Sequence, residues 1–274
     1  IGSGPGGYVA AIRASQLGMK VVVVEKAETG GICLNWGCIP TKALLKSAQV
    51  LDYVRHAADY GINAGETAVP DFGAVIARSR GVADAMSKGV QYLFKKYSIP
   101  VINGFGRLKG NKTVEVETPE GGKQTLSASH IIIATGARSR ELPNLKQDGK
   151  KIIGYREAMN LPALPASMVV VGSGAIGSEF AGFYRSMGTE VTLVEFMPRL
   201  LPLEDEEVSR TLERAFRKMK MKTMTSSSVE KVDISGEKCV VTIKTPKGEE
   251  VTEADVVLSA VGIAPNIEGI GLEE

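Results

Sequence analysis

The sequence is poor in the residues that build several common kinds of site. It holds three cysteines (Cys33, Cys38, Cys239) and two histidines (His56, His130) in 274 residues. Three cysteines cannot form the multi-bridge framework of a secreted domain, so a redox or catalytic pair in a reducing compartment is the better reading. A structural zinc site wants about four Cys or His ligands. The histidines lie far from the one close pair of cysteines, and no metal is expected. No apolar stretch approaches the roughly 18 residues that a membrane span needs, and no signal-peptide pattern is visible. The formal net charge is only +2 with no dense basic run, which argues against nucleic acid or a membrane and for small-molecule partners. A cytosolic or organellar interior is expected.

What is present is ordinary for a globular chain of about two domains: 43% apolar and 23% charged residues. The first seven residues, IGSGPGG, read as a strand end running into a glycine turn. In a βαβ dinucleotide fold that strand lies mid-sheet, so the chain reads as a piece of a longer protein. Gly2, Gly4 and Gly7 give G-x-G-x-x-G. An Ala-rich helical stretch from Tyr8 to Leu17 follows, stopped by Gly18, and a strand from Val21 to Val24 ends at Glu25. A helix N-terminus there would hold a pyrophosphate, and an acidic residue at the second strand's tip would accept ribose hydroxyls. The pattern then recurs. An apolar strand from Met168 to Val171 precedes Gly172, Gly174 and Gly177, a helix runs to Met187, and a strand from Val191 ends at Glu195. Gly2 to Glu25 and Gly172 to Glu195 share one spacing, so the fold class is α/β, with two Rossmann-like dinucleotide domains.

Between the fingerprints lies GGICLNWGCIPTKALLK, residues 30 to 46. Two cysteines five apart on a regular helix would have Cα atoms roughly 8 Å apart, beyond disulfide reach. Cys33 is therefore expected just before a helix and Cys38 in its first turn. A helix N-terminus and a nearby lysine, Lys42, both favour thiolate, as a reactive pair requires.

The remaining segments fill in the two domains. A helix is expected over 72 to 97 and a strand over 99 to 102. Short alternating strands at 113 to 118 and 123 to 127, joined by Pro119-Glu120-Gly121-Gly122, make an antiparallel insertion. A buried strand from His130 to Ile133 runs into Ala134-Thr135-Gly136, small residues that let backbone approach a ligand. The Pro-containing stretch from Leu142 to Pro165 reads as an interdomain connection, giving domains of 1–150 and 151–274. In the second domain a charged amphipathic helix is expected over 205 to 219. A second antiparallel insertion covers Val229 to Lys244 with Glu249 to Thr252, and a strand from Val256 to Ala260 leads into Val261-Gly262. Cys239 reads as a buried apolar residue, and both histidines as structural.

GGICLNWGCIPTK, the paired fingerprints, Ala134-Thr135-Gly136 and Val261-Gly262 with Pro265-Asn266 resemble the flavoprotein disulfide reductases, most nearly their dihydrolipoamide dehydrogenase branch. The resemblance implies an FAD domain followed by an NAD domain, with FAD and NAD meeting near the cysteines. It makes Cys33 the thiol that exchanges with a dithiol substrate and Cys38 the one that faces the flavin. Lys42 would stand by the flavin ring, paired with Glu179. Gly31, Gly106, Thr135 and Gly136 match contacts to FAD, and Val229 and Gly262 contacts to NAD. Glu195, where a basic residue would favour a 2′-phosphate, and Ala175, where NADP-using glutathione reductases carry a gating tyrosine, both point to NAD. Trp36 is bulkier than the branched residue often found between the family's cysteines. The implied partners are lipoyl domains of 2-oxoacid dehydrogenase complexes or the glycine cleavage system, and a second copy in a homodimer. The implied compartment is the bacterial cytoplasm ahead of the mitochondrial matrix. The family's catalytic histidine and its orienting glutamate, and the aspartate that holds the FAD ribityl chain, would lie beyond Glu274. Mercuric reductase is the nearest enzyme alternative, and a non-catalytic nucleotide-binding scaffold is the alternative outside enzymes.

Overall fold

The computed structural model describes residues 1–64 and 68–273. The chain divides into two compact units: Ile1–Pro40, Arg80–Arg138 and Ala264–Glu274 form one, and Thr41–Ser79 with Ser139–Ile263 the other. This differs from a single boundary at residue 150. The chain passes from one unit to the other within two helices, and the stretch after Ser139 already belongs to the second.

In the first unit, α1 (Pro5–Gln16) begins three residues earlier than the sequence suggested. Pro5 sits at the first helical position, where its fixed φ suits the helix and its missing N–H costs nothing. The strand β1 (Val23–Glu25) follows, then the short helix α2 (Gly31–Trp36). Next, α3 (Cys38–Arg55) carries the chain away and α4 (Phe72–Lys96) brings it back. Asp71 starts α4 by accepting from the Ala74 amide at 2.9 Å. β2 (Val101–Asn103) lies parallel to β1. The antiparallel insertion has three strands rather than two, β3 (Phe105–Leu108), β4 (Thr113–Glu117) and β5 (Lys123–Ser127). A last strand, β6 (Ala137–Ser139), ends this stretch. The core groups Val23 and Leu34 with Val90, Phe94 and Ile99, so one strand and two helices bury their apolar faces together.

The buried strand expected at His130 to Ile133 does not form. Ile132 and Ile133 are exposed. The Ile1 amine donates to Ile132 O, and the Ala134 amide to Ile1 O, both at 2.8 Å. Two bonds to one residue do not make a ladder.

The second unit is built on an all-parallel five-stranded sheet. Its strands in chain order are β7 (Ile152–Ile153), β8 (Ser167–Val171), β9 (Glu190–Val194), then, after further elements, β10 (Lys222–Met224) and a later strand, Val256–Ser259. The order across the sheet is β10, β9, β8, the Val256–Ser259 strand, β7. β7 and the four-residue helix α5 (Tyr155–Ala158) lie inside the stretch read from sequence as a connection. A run of two residues has no detectable period, and its partners are remote in sequence. Helix α6 (Ala175–Met187) crosses from β8 to β9 and buries Phe180, Phe183 and Tyr184; Phe72 packs on Phe183 and Tyr184, and Phe180 on Tyr184. The amphipathic α7 (Glu206–Lys218) is capped by Asp205, whose side chain accepts from the Glu207 amide. The second insertion is an antiparallel sheet of β11 (Ser228–Asp233), β12 (Cys239–Thr245) and β13 (Gly248–Ala254). With β12 in place Cys239 is fully buried among Val241, Ile243 and Val257. β14 is the Val256–Ser259 strand, and β15 (Ile263–Pro265) pairs with β6.

Candidate functional site

The two glycine turns are alike down to individual atoms. Gly2 donates its amide to Val24 O at 2.7 Å, and Gly172 donates to Val194 O at 2.8 Å. Both have a positive φ, 98° and 97°, and a Cβ on either would strike a carbonyl, Ala134 O at 2.1 Å or Ala260 O at 2.5 Å. Only glycine lets the turn pass this close to a neighbouring carbonyl. Gly7 and Gly177 each press on the first glycine of their own turn, where a Cβ would lie 1.9 Å from its carbonyl oxygen.

The acidic residues repeat as well. Glu25 Oε2 accepts from Ser3 N and Ser3 Oγ, both at 2.7 Å, and its Oε1 from Ala27 N at 2.9 Å. Glu195 Oε2 accepts from Ser173 N and Oγ at 2.8 and 2.7 Å, and its Oε1 from Met197 N at 2.7 Å. Each carboxylate thus closes its own glycine turn and fixes the tip of its strand. A carboxylate has about four acceptor positions, so three such bonds leave room for a ribose hydroxyl. Ser3 and Ser173 were not singled out from sequence, although both occupy the middle of a repeated G-S-G.

The helices that follow are open at their starts. Gly4 and Gly174 are the N-caps of α1 and α6, and neither helix has a side-chain cap. A Cβ on Gly174 would meet nothing within 4 Å. Uncapped first-turn amides suit a pyrophosphate, so this donor set fits a dinucleotide at each turn. At the first turn Gly31 (φ 60°) comes so near that its Cβ would lie 2.6 Å from Gly4 Cα. Gly136 (φ 70°) and Gly262 (φ 110°) face open space too.

Other expected contact residues are held by the fold. Thr135 Oγ1 donates to Asn266 O at 2.7 Å, Asn266 Nδ2 donates back to Thr135 O at 3.0 Å, and the Asn266 amide donates to Gly136 O at 2.9 Å. Gly106 is buried in β3, where a Cβ would come 3.2 Å from side chains of Ile1 and Val24. Val229 is buried in β11, and its carbonyl accepts from Asn144 Nδ2 at 2.8 Å.

The cysteine stretch is two helices and not one. Cys33 lies within α2, where a position just before the helix was expected, and Cys38 opens α3 as expected. Gly37 turns the chain between them, and a Cβ there would stand 3.2 Å from Cys33 Cα. The break places the two cysteines on separate helices instead of along one axis. Cys33 is half-buried against the first unit's core, and Cys38 is exposed. Lys42 is one turn beyond Cys38 in α3, and its Nζ meets Glu179 Oε1 of α6 at 2.6 Å. Both ionic partners belong to the second unit.

His56 is exposed at the end of α3 beside Asp52, and His130 is exposed rather than buried. Among the described residues no group of His, Cys, Asp and Glu is placed to hold a metal ion, and no helix is long and apolar enough to cross a membrane.

A parallel sheet entered through a glycine turn, twice in one chain, defines the FAD/NAD-binding Rossmann-like class of α/β protein. Residues 1–274 match the family described as pyridine nucleotide-disulphide oxidoreductase, and the chain belongs to that family. A dihydrolipoyl dehydrogenase of Rhizobium etli is 48% identical over all of this chain and 60% of its own length. One from Zymomonas mobilis is 47% identical, over 59% of its length. Among solved structures, LpdA from Mycobacterium tuberculosis matches with a TM-score of 0.90 at 28% identity, covering 100% of this chain and 60% of that one. The HOCl-induced flavoprotein disulfide reductase RclA of Escherichia coli matches at 0.83 and 25%, over 99% and 57%. The chain therefore spans about 60% of the length of the curated relatives it matches.

Proposed function

We propose that this chain carries the redox half of a dihydrolipoyl dehydrogenase, with Cys33 and Cys38 as the exchanging pair, FAD at the Gly2 turn and NAD at the Gly172 turn. The observation that carries it is the helix break at Gly37, which sets one cysteine in α2 and the other at the start of the helix bearing Lys42. The net reaction takes two electrons and two protons from dihydrolipoamide, which becomes the cyclic disulfide, and yields NADH and one proton.

Each residue has a task in that scheme. Cys33 attacks or releases the substrate sulfur as thiolate, and Cys38 closes the protein disulfide behind it. Cys38 stands at the first position of α3. Lys42 keeps a positive charge one turn from that thiol, held in place by Glu179. Glu25 and Glu195 accept ribose hydroxyls, and at Glu195 a carboxylate repels a 2′-phosphate and so selects NAD. Gly2, Gly4, Gly7 and Gly31 with Gly106, Thr135 and Gly136 line the first nucleotide. Gly172, Gly174, Gly177, Val229 and Gly262 line the second. When bound, FAD relays the electron pair between dithiol and nicotinamide.

The partners that follow are lipoyl domains of 2-oxoacid dehydrogenase complexes and a second copy of the whole protein. A mercuric reductase reading is not favoured by the relatives reported above. The test is spectroscopic. The purified protein is expected to be yellow and to bleach anaerobically with either NADH or dithiothreitol. Cys38→Ala should abolish bleaching by the dithiol and keep bleaching by NADH. A colourless protein, or dithiol bleaching that survives this substitution, overturns the proposal.

A further inference from the structure

Trp36 stands three residues after Cys33 in α2, so the two side chains share a face of the helix. It is the single tryptophan of the chain. Its indole Nε1 donates to Glu28 Oε1 at 3.2 Å, and the Arg80 guanidinium lies over its ring, 4.2 Å from the centroid. Arg80 Nη1 is buried with no hydrogen-bond partner, so the face of the ring is the contact that offsets part of its desolvation. Burial draws the Arg80 pKa down, and Glu28, then Asp84, draw it back up. All these residues belong to the first unit.

The helix that bears Cys33 needs such support. Six residues are too few for a helix to persist on its own. α4 grips it at two points on one face, because Arg80 and Ser87 are seven residues, about two turns, apart. Ser87 Oγ meets Asn35 Oδ1 at 3.0 Å, and Asn35 Nδ2 donates to Thr29 O and Gly31 O at 3.0 and 2.9 Å. That second grip is buried and polar. The Arg80 grip is the one that reaches the Cys33 face.

We propose that Glu28, Trp36 and Arg80 form a clamp that sets the access and reactivity of Cys33, with Arg80 a positioning residue that acts through the indole plate of Trp36. The proposal rests on the cysteines being a reactive pair. With the clamp closed, Trp36 is a fixed wall beside the half-buried Cys33. With it open, the wall swings and Cys33 meets small reagents more readily, while Cys38, anchored in α3, is unaffected.

The whole purified protein, reduced and given a short pulse of iodoacetamide, is digested and the alkylation of Cys33 and Cys38 is measured by mass spectrometry. Arg80→Ala should raise the Cys33-to-Cys38 ratio about threefold to thirtyfold, the range that a cation–π contact supports. Arg80→Lys, which keeps charge and stem but loses the flat stack, should fall between, and guards against a folding defect. In a Trp36→Ala background the Arg80→Ala effect should vanish, which a general loosening would not produce. Acrylamide quenching of the lone tryptophan should increase in Arg80→Ala. If both cysteines react but the ratio does not move, or if the Arg80 effect survives without Trp36, the clamp is wrong and the pair stands. If neither cysteine reacts, the pair and the clamp fall together.

Discussion

Single residues near the chain crossings are joined by charge. Arg138 makes a two-pronged pair with Glu268, Nη2 to Oε1 at 2.8 Å and Nη1 to Oε2 at 2.9 Å. The hydrogen bonds from Arg138 hold the Glu268 carboxyl at about 2, well below its ordinary 4.5, and the guanidinium is shifted up in turn. A depressed carboxyl stabilises the fold above its unfolded value and loses that contribution as pH falls through its folded one. The window here runs from about 4.5 down to about 2. Carbon-13 NMR of the carboxyl should find Glu268 titrating near the lower value, and Arg138→Ala should return it toward the upper one. Both groups are exposed, so the effect on overall stability is small. At this scale the sequence was most readable where chemistry needs one residue type. The glycines and glutamates of both turns stand where spacing put them, whereas Asn266, Ser87 and Arg80 act through partners 44 to 131 positions away that no local pattern reveals.

Among the elements, α6 shows how a helix both spans the βαβ crossover and anchors its neighbours. Tyr184 is fully buried, its hydroxyl donates to Ala158 O of α5, and burial pushes its pKa far up, so it stays neutral. Tyr184→Phe should keep the packing but strand that carbonyl, costing about 1–3 kcal/mol, read as a lower midpoint in urea unfolding with an unchanged slope. Long periodic elements were legible: α4, α6 and α7 lie within a few residues of their expected bounds. Short ones were not. α2 hid among glycines and cysteines, and β7 among prolines, because six or two residues carry too little period to separate from a loop. The His130 to Ile133 segment shows the converse, since its apolar run promised a strand, yet it forms none and leaves Ile132 and Ile133 exposed.

For the molecule as a whole, the path of the chain matters more than any one contact. It changes unit after Pro40, Ser79, Arg138 and Ile263, so neither unit is one continuous segment. A chain cut to residues 139–263 would keep the five strands of the parallel sheet but lose Phe72, whose ring lies 6.3 Å from Phe183 and 6.2 Å from Tyr184. Such a piece should expose that aromatic cluster, bind a hydrophobic dye and melt well below the parent, by calorimetry; adding back residues 41–79 should restore much of the loss. The family likeness of the two halves was legible because a repeat checks itself, while the interleaved path was not, because contacts between remote segments leave no mark on composition. The atom-for-atom likeness of the Ser3–Glu25 and Ser173–Glu195 turns has a pharmacological consequence. With the nucleotide seats proposed above, an inhibitor built only from adenosine diphosphate would meet the same serine–glutamate contacts at both turns, so selectivity has to be engineered into the end of the molecule that leaves the turn.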